Sequence, residues 1–116
     1  MAKHHKINYI EFPAHDLAAT KIFFTKVFGW SFQDFGPDYA AFTGQGTDGG
    51  FYKSDLKSSS TTGAALVVLY SDDLEKTAAL VKEAGGKVIV DIFDFPGGRR
   101  FHFTEPSGNE LAVWST

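Results

Sequence analysis

Hydrophobic and polar positions along this chain change period in a fixed order, and the order is run through twice. Ile7–Phe12 (INYIEF) alternates and carries aromatic and β-branched residues, which predicts a strand. Pro13 then ends pairing, and Asp16 stands where a helix N-cap belongs. From Leu17 to Phe28 the apolar residues Leu17, Ala18, Ile22, Phe23, Phe24, Val27 and Phe28 fall mainly on helical spacing, and Gly29 supplies the C′ residue. Three short strands follow near Ser31–Phe35, Tyr39–Thr43 and Gly50–Lys53, parted by Gly-Pro and Gly-rich turns. Ser54–Gly63 is poor in hydrophobic residues and rich in Ser and Thr, and reads as a linker. The plan then restarts with a strand at Ala64–Tyr70, an N-cap at Asp73, a helix over Leu74–Ala84 and Gly85-Gly86 to end it. Strands near Lys87–Ile92, Arg99–Thr104 and Glu110–Ser115 complete the second pass.

The two passes superimpose at a shift of 57 residues: Asp16-Leu17 on Asp73-Leu74, Thr20 on Thr77, Gly29 on Gly86. A turn signal recurs as well, Asp34-Phe35-Gly36-Pro37 against Asp94-Phe95-Pro96-Gly97. Such self-similarity marks a duplicated supersecondary unit. The expectation is one α+β domain over residues 1–116, built from βαβββ modules at 7–53 and 64–115 around an apolar cavity. Neither module buries a sheet face alone, so the modules must pack together within a chain or exchange between chains.

Composition narrows the function. Aromatic residues make up 16% of the chain, twelve of them Phe, more than a small core requires. The excess points to a ligand cavity or a dimer interface. A net charge of −3 without a basic stripe argues against nucleic acid and anionic membrane as partners. The lack of cysteine excludes thiol catalysis and Cys-type zinc sites, and fits a reducing cytoplasm. No signal-peptide core or membrane-length apolar run is present, so a cytoplasmic protein is expected.

Three stretches, INYIEFPAHDLAATKIFFTKVFGW (7–30), ALVVLYSDDLEKT (65–77) and FHFTEPSGNELAVW (101–114), resemble the vicinal oxygen chelate superfamily of glyoxalases, bleomycin-resistance proteins and extradiol dioxygenases. The last is similar to the family's F-x-D-P-x-G-N, with Glu105 in place of Asp. The resemblance implies a cupped mixed sheet with helices on its convex side, and commonly a homodimer. It also implies one divalent metal held by the first and last strands of each module. The matching positions here are Tyr9, Leu66 and Ala112, with a fourth somewhere in Asp48–Lys53. Leu66 and Ala112 have no donor atoms and Tyr9 is a poor neutral ligand, so no metal or other cofactor is expected.

Strand alternation nominates the lining of the cup. Tyr9 and Glu11 share one face of the first strand, Leu66 and Val68 one face of the fifth. Arg100 and His102 share a face of the seventh, and Glu110 and Trp114 of the eighth. Glu11, enclosed by Tyr9, Leu66 and Trp114, would be the general base if the protein is an enzyme, and otherwise a partner for Arg100 or a carboxylate at a wet cavity mouth. His102 is a proton shuttle, a substitute ligand beside Glu11 and Glu110, or a satisfied strand histidine. Tyr9, Phe51, Tyr52 and Trp114 form either a stacking platform for a flat ligand or ordinary packing. Two functions follow. One is a metal-free protein that binds a small, partly apolar molecule, as resistance proteins do. The other is a glyoxalase-like lyase or isomerase using Glu11 as base, with or without a displaced metal site. A structural or regulatory dimer without a ligand is a further option, and extradiol dioxygenase chemistry is the least expected, because it requires a two-His, one-carboxylate iron site.

Overall fold

The predicted periods are realised over residues 2–116, the part of the chain that the computed structural model describes. The first module runs β1 (Tyr9–Ala14), α1 (Leu17–Phe28), β2 (Ser31–Asp34), β3 (Tyr39–Thr43) and β4 (Asp48–Lys53). The second runs β5 (Val67–Tyr70), α2 (Leu74–Glu83), β6 (Lys87–Phe95), β7 (Gly98–Thr104) and β8 (Glu110–Ser115). Asp16 accepts from the Ala19 amide at 3.0 Å and Asp73 from the Lys76 amide at 3.1 Å, so both helices start at their carboxylate caps. Gly29, at φ 73°, ends α1 with paired bonds, its own N–H to Thr25 and that of Trp30 to Phe24.

Each module forms its own four-stranded mixed sheet, β1-β4-β3-β2 and β5-β8-β7-β6. The parallel pairs are β1 with β4 and β5 with β8, which leaves β1 and β5 as edges. That position explains why β1 continues through Pro13 to Ala14: an edge strand loses nothing when the missing N–H faces away from its partner. Conversely β5 begins at Val67 rather than Ala64. Its partner β8 begins at Glu110, whose amide is already bonded to the Ser58 carbonyl at 2.8 Å. β6 runs on to Phe95, past the expected end at Ile92. Register shifts between Val88 and Val90 and between Val90 and Phe93 carry it there. Only Pro96-Gly97 forms the turn, so Asp94 and Phe95 are strand residues.

One face of each sheet feeds a single aromatic core. Phe12 and Phe51 come from the first sheet, Phe101, Phe103, Leu111 and Val113 from the second, and Leu74 and Val81 from α2. α1 joins them: Phe24 lies 5.4 Å from Phe51, while its neighbour Phe23 lies 5.8 Å from Phe103. Gly86 makes the second approach possible, because a Cβ there would stand 2.7 Å from the Phe23 ring. With both helix-side faces turned to this core, the opposite faces of the two sheets point away from each other.

A polar clip locks the modules. The Glu105 carboxylate is 3% exposed and receives Thr20 Oγ1 at 2.8 Å, the Ser107 amide at 2.6 Å and Asn109 Nδ2 at 2.6 Å. Asn109 Nδ2 also reaches the Pro13 carbonyl at 2.6 Å, and its Oδ1 accepts from the Ser58 amide at 2.8 Å. Ser107 Oγ adds contacts to both backbone groups of Asp16 at 3.2 Å. Burial holds the Glu105 carboxyl above its ordinary range even against these donors. The Glu-Pro-Ser-Gly-Asn segment therefore ties β7–β8 to the β1–α1 corner and to the 54–63 connection. Asn109→Ala would leave the Pro13 carbonyl, the Ser58 amide and one Glu105 oxygen short of partners. Each such loss costs about 1–3 kcal/mol. The expected destabilisation of about 3–5 kcal/mol is to be measured by denaturant unfolding, and a change below about 1 kcal/mol would refute the clip.

Candidate functional site

The outer face of the second sheet carries most of the nominated residues. β7 places Arg100 opposite Trp114 and His102 opposite Ala112, with Thr104 opposite Glu110. His102 Nδ1 lies 3.0 Å from Glu110 Oε2, which leaves Nε2 as the free ring nitrogen. Glu110 Oε1 receives the Ser60 amide at 2.8 Å and Ser60 Oγ at 2.7 Å. Burial pushes the Glu110 carboxyl up, but the donors from His102 and Ser60 outweigh it and hold the carboxyl below its ordinary range. Higher on the face, the Arg100 guanidinium carbon sits 5.3 Å from the Phe93 ring centre and 5.4 Å from that of Phe95. Phe95, Arg100, Trp114, Val68 and Gly97 line a hollow of about 350 Å³. Tyr70 meets the Trp114 ring edge-on at 5.0 Å.

The outer face of the first sheet carries a second cluster. Tyr39 Oη donates to Glu11 Oε2 at 2.9 Å and lies 2.5 Å from Tyr9 Oη. Burial, then the contacts to Tyr9 and to the Glu11 carboxylate, push the Tyr39 phenol well above its ordinary range. Gly50 permits the arrangement, since any side chain there would collide with the Tyr39 ring and hydroxyl.

The nominated residues thus fall into two groups. Tyr9 and Glu11 meet on the first sheet, and Arg100, His102, Glu110 and Trp114 on the second. Glu11 pairs with Tyr39 rather than Arg100. Two placements need correction. Phe51 is fully buried on the helix side of β4, stacked 5.3 Å from Phe12, so it belongs to the core and not to a ligand platform. Leu66 precedes β5, which begins at Val67, so its expected place within the strand is not realised. Sequence reasoning missed Tyr39, Phe93 and Phe95. The alternation of β3 carried the signal for Tyr39. The repeated turn pattern misled the placement of Phe95.

The strand registers fix the fourth metal-equivalent position. Ala112 pairs with Val68 on β5, and the matching pair of the first module is Glu11 with Gly50. The four positions are therefore Tyr9, Gly50, Leu66 and Ala112, a set without a carboxylate or imidazole, which does not fit a divalent cation. Among the described residues no three His, Asp or Glu side chains cluster elsewhere. Among the described residues no helix is long and apolar enough to cross a membrane.

Paired βαβββ modules, each with its helix on one sheet face and side chains gathered on the other, define the class of fold to which glyoxalases belong. The family profile of the Glyoxalase/Bleomycin resistance protein/Dioxygenase superfamily matches residues 6–113, and the chain belongs to that superfamily. It is similar to a glyoxalase-related enzyme from Fulvimarina pelagi, at 17% identity over 97% of this chain and 88% of that one, with a TM-score of 0.77. It is similar also to a glyoxalase/bleomycin resistance protein/dioxygenase family enzyme from Burkholderia phytofirmans PsJN, at 15% identity, 95% and 98% coverage and a TM-score of 0.77. Lactoylglutathione lyase from Agrobacterium tumefaciens matches at 17% identity, 97% and 95% coverage and a TM-score of 0.72. These likenesses show the fold. No curated protein matches the chain.

The depressed Glu110 carboxyl has a consequence for acid stability. A group whose folded pKa is lowered contributes stability above its unfolded value, ordinarily 4.5, and that contribution is lost as pH falls through the folded value. Wild type is therefore expected to exceed Glu110→Gln in unfolding free energy at neutral pH, with the gap narrowing on acidification below the ordinary carboxyl range. A gap independent of pH would contradict the assignment. On the first sheet, Tyr39→Phe should remove the last phenol to ionise in an ultraviolet titration.

Proposed function

We propose that this protein binds a small, partly apolar molecule without a metal ion, in the hollow of the second sheet, and does so as a homodimer. The observation that carries this reading is the aromatic wall left open on that face. Val68, 41% exposed, lies with Trp114 and Phe95 around a space within the size range of small-molecule clefts, and Tyr70, 51% exposed, stands against the Trp114 ring. The dimer is supported by β1 and β5, two of the four edge strands, whose outer sides a monomer would leave unpaired. It is also supported by the split between the Tyr9–Glu11 and Arg100–Trp114 groups, which a second copy would bring face to face. The uncharged probe 2-naphthylmethanol should bind saturably by calorimetry, with affinity reduced at least about tenfold in Trp114→Ala, and light scattering should give twice the chain mass. Non-saturable heats would end the binding reading, and a monomer at all concentrations would end the dimer.

A second reading, a glyoxalase-like lyase or isomerase, is favoured by one feature: the His102 ring is oriented by Glu110 with Nε2 free, as a general base requires. Glu11, held by Tyr39, is the base on the other face. This reading expects exchange of the proton α to a ketone in deuterated water, lost in His102→Gln or Glu11→Gln. Absence of exchange across a ketone panel would reject it.

A further inference from the structure

We infer that the molecule taken by the second-sheet hollow is a flat apolar carboxylic acid, its carboxylate gripped by the Arg100 guanidinium while its rings lie against Trp114 and Phe95. This rests on the small-molecule reading above and names the chemistry of the ligand.

Arg100 is a cation without an anion. The other two half-buried cations have partners: Lys21 Nζ meets Asp34 at 2.8 Å and Arg99 meets Glu75 at 2.5 Å, while the lysines without an ion pair are exposed. Among the described residues Arg100 makes no ion pair, and its Nε is enclosed with no acceptor. An enclosed donor without a partner costs about 1–3 kcal/mol. A guanidinium cannot relieve this by losing its proton. The carboxylate on the same face is already engaged, since Glu110 takes donors from His102 and Ser60 on both of its oxygens. Glu11 lies on the other sheet with Tyr39. The guanidinium, which lines the hollow, thus keeps donors that the chain's own carboxylates do not engage.

Geometry selects the class of anion. Phe93 and Phe95 occupy flanking positions within 5.4 Å of the guanidinium carbon, which leaves recognition to the N–H edge. That edge matches a planar carboxylate through two parallel hydrogen bonds. The remaining walls, Val68, Gly97 and Trp114, offer apolar and aromatic surface. A hollow of about 350 Å³ stands at the lower end of ligand clefts and suits an acid of one or two fused rings.

The experiment compares 2-naphthoate with 2-naphthylmethanol, two probes of one shape and different charge, by calorimetry on the full chain. The acid is expected to bind at least about tenfold more tightly, the difference a charge-assisted bidentate contact provides. Arg100→Met, which keeps an apolar stem, should abolish that preference, and an unchanged circular dichroism spectrum and unfolding midpoint verify that the variant is folded. Equal affinity of wild type for the two probes would overturn the carboxylate inference and leave the binding reading standing. Failure of both probes to bind would overturn both. If Glu11 of a second copy fills the guanidinium fork instead, wild type will not prefer the acid and Glu11→Gln will create the preference, which likewise overturns the inference.

Discussion

A buried carboxylate at the junction of the modules decides how everything else is arranged. Glu105 collects a hydroxyl from α1, an amide from its own turn and the Asn109 side chain, and Asn109 in turn holds the end of β1. These bonds are directional, whereas the phenylalanine core beneath them is not, and would tolerate several relative rotations of the sheets. The clip selects one. In that arrangement α1 bridges the sheets and their helix-side faces share one interior.

The outer faces inherit their character from this geometry. Because the core takes Phe12, Phe51, Phe101 and Phe103, the alternate positions on the same strands face out. There the duplicated module has diverged in its chemistry. The first sheet displays phenols around a carboxylate, the second an imidazole–carboxylate pair beside a stacked guanidinium. At the strand positions where superfamily enzymes would place metal donors, both last strands present residues too small to coordinate anything, Gly50 and Ala112. Gly50 also has a positive role, as the floor on which Tyr39 lies.

Much of this was legible in the residues. The helix caps at Asp16 and Asp73, the terminator at Gly29 and the alternation of β1, β7 and β8 announce their own conformations, because caps and period are local properties. Alternation likewise assigned Tyr9 with Glu11, and Arg100 with His102, to common strand faces. It does not say which sheets confront each other, which depends on contacts between residues 13 and 109 or 20 and 105. Phe51 was misjudged because its face depends on where β4 starts. β4 pairs from Asp48 onward, which puts Gly50 and Tyr52 outside and Phe51 inside. Phe93 and Phe95 were missed because the likeness of the two turns suggested a loop where extra residues had lengthened a strand.

Those extra residues in β6 reach further than local shape. Counting from Val88 opposite Phe103, regular pairing would set Phe93 near Gly98 and leave Phe95 beyond the end of β7. The two irregularities instead slide both rings along the sheet until Phe93 stands opposite Arg100. The width and polarity of the hollow are thus set by strand length as well as by residue identity. Insertions or deletions within 89–92 would retune what this face accepts while every side chain of the hollow stayed the same.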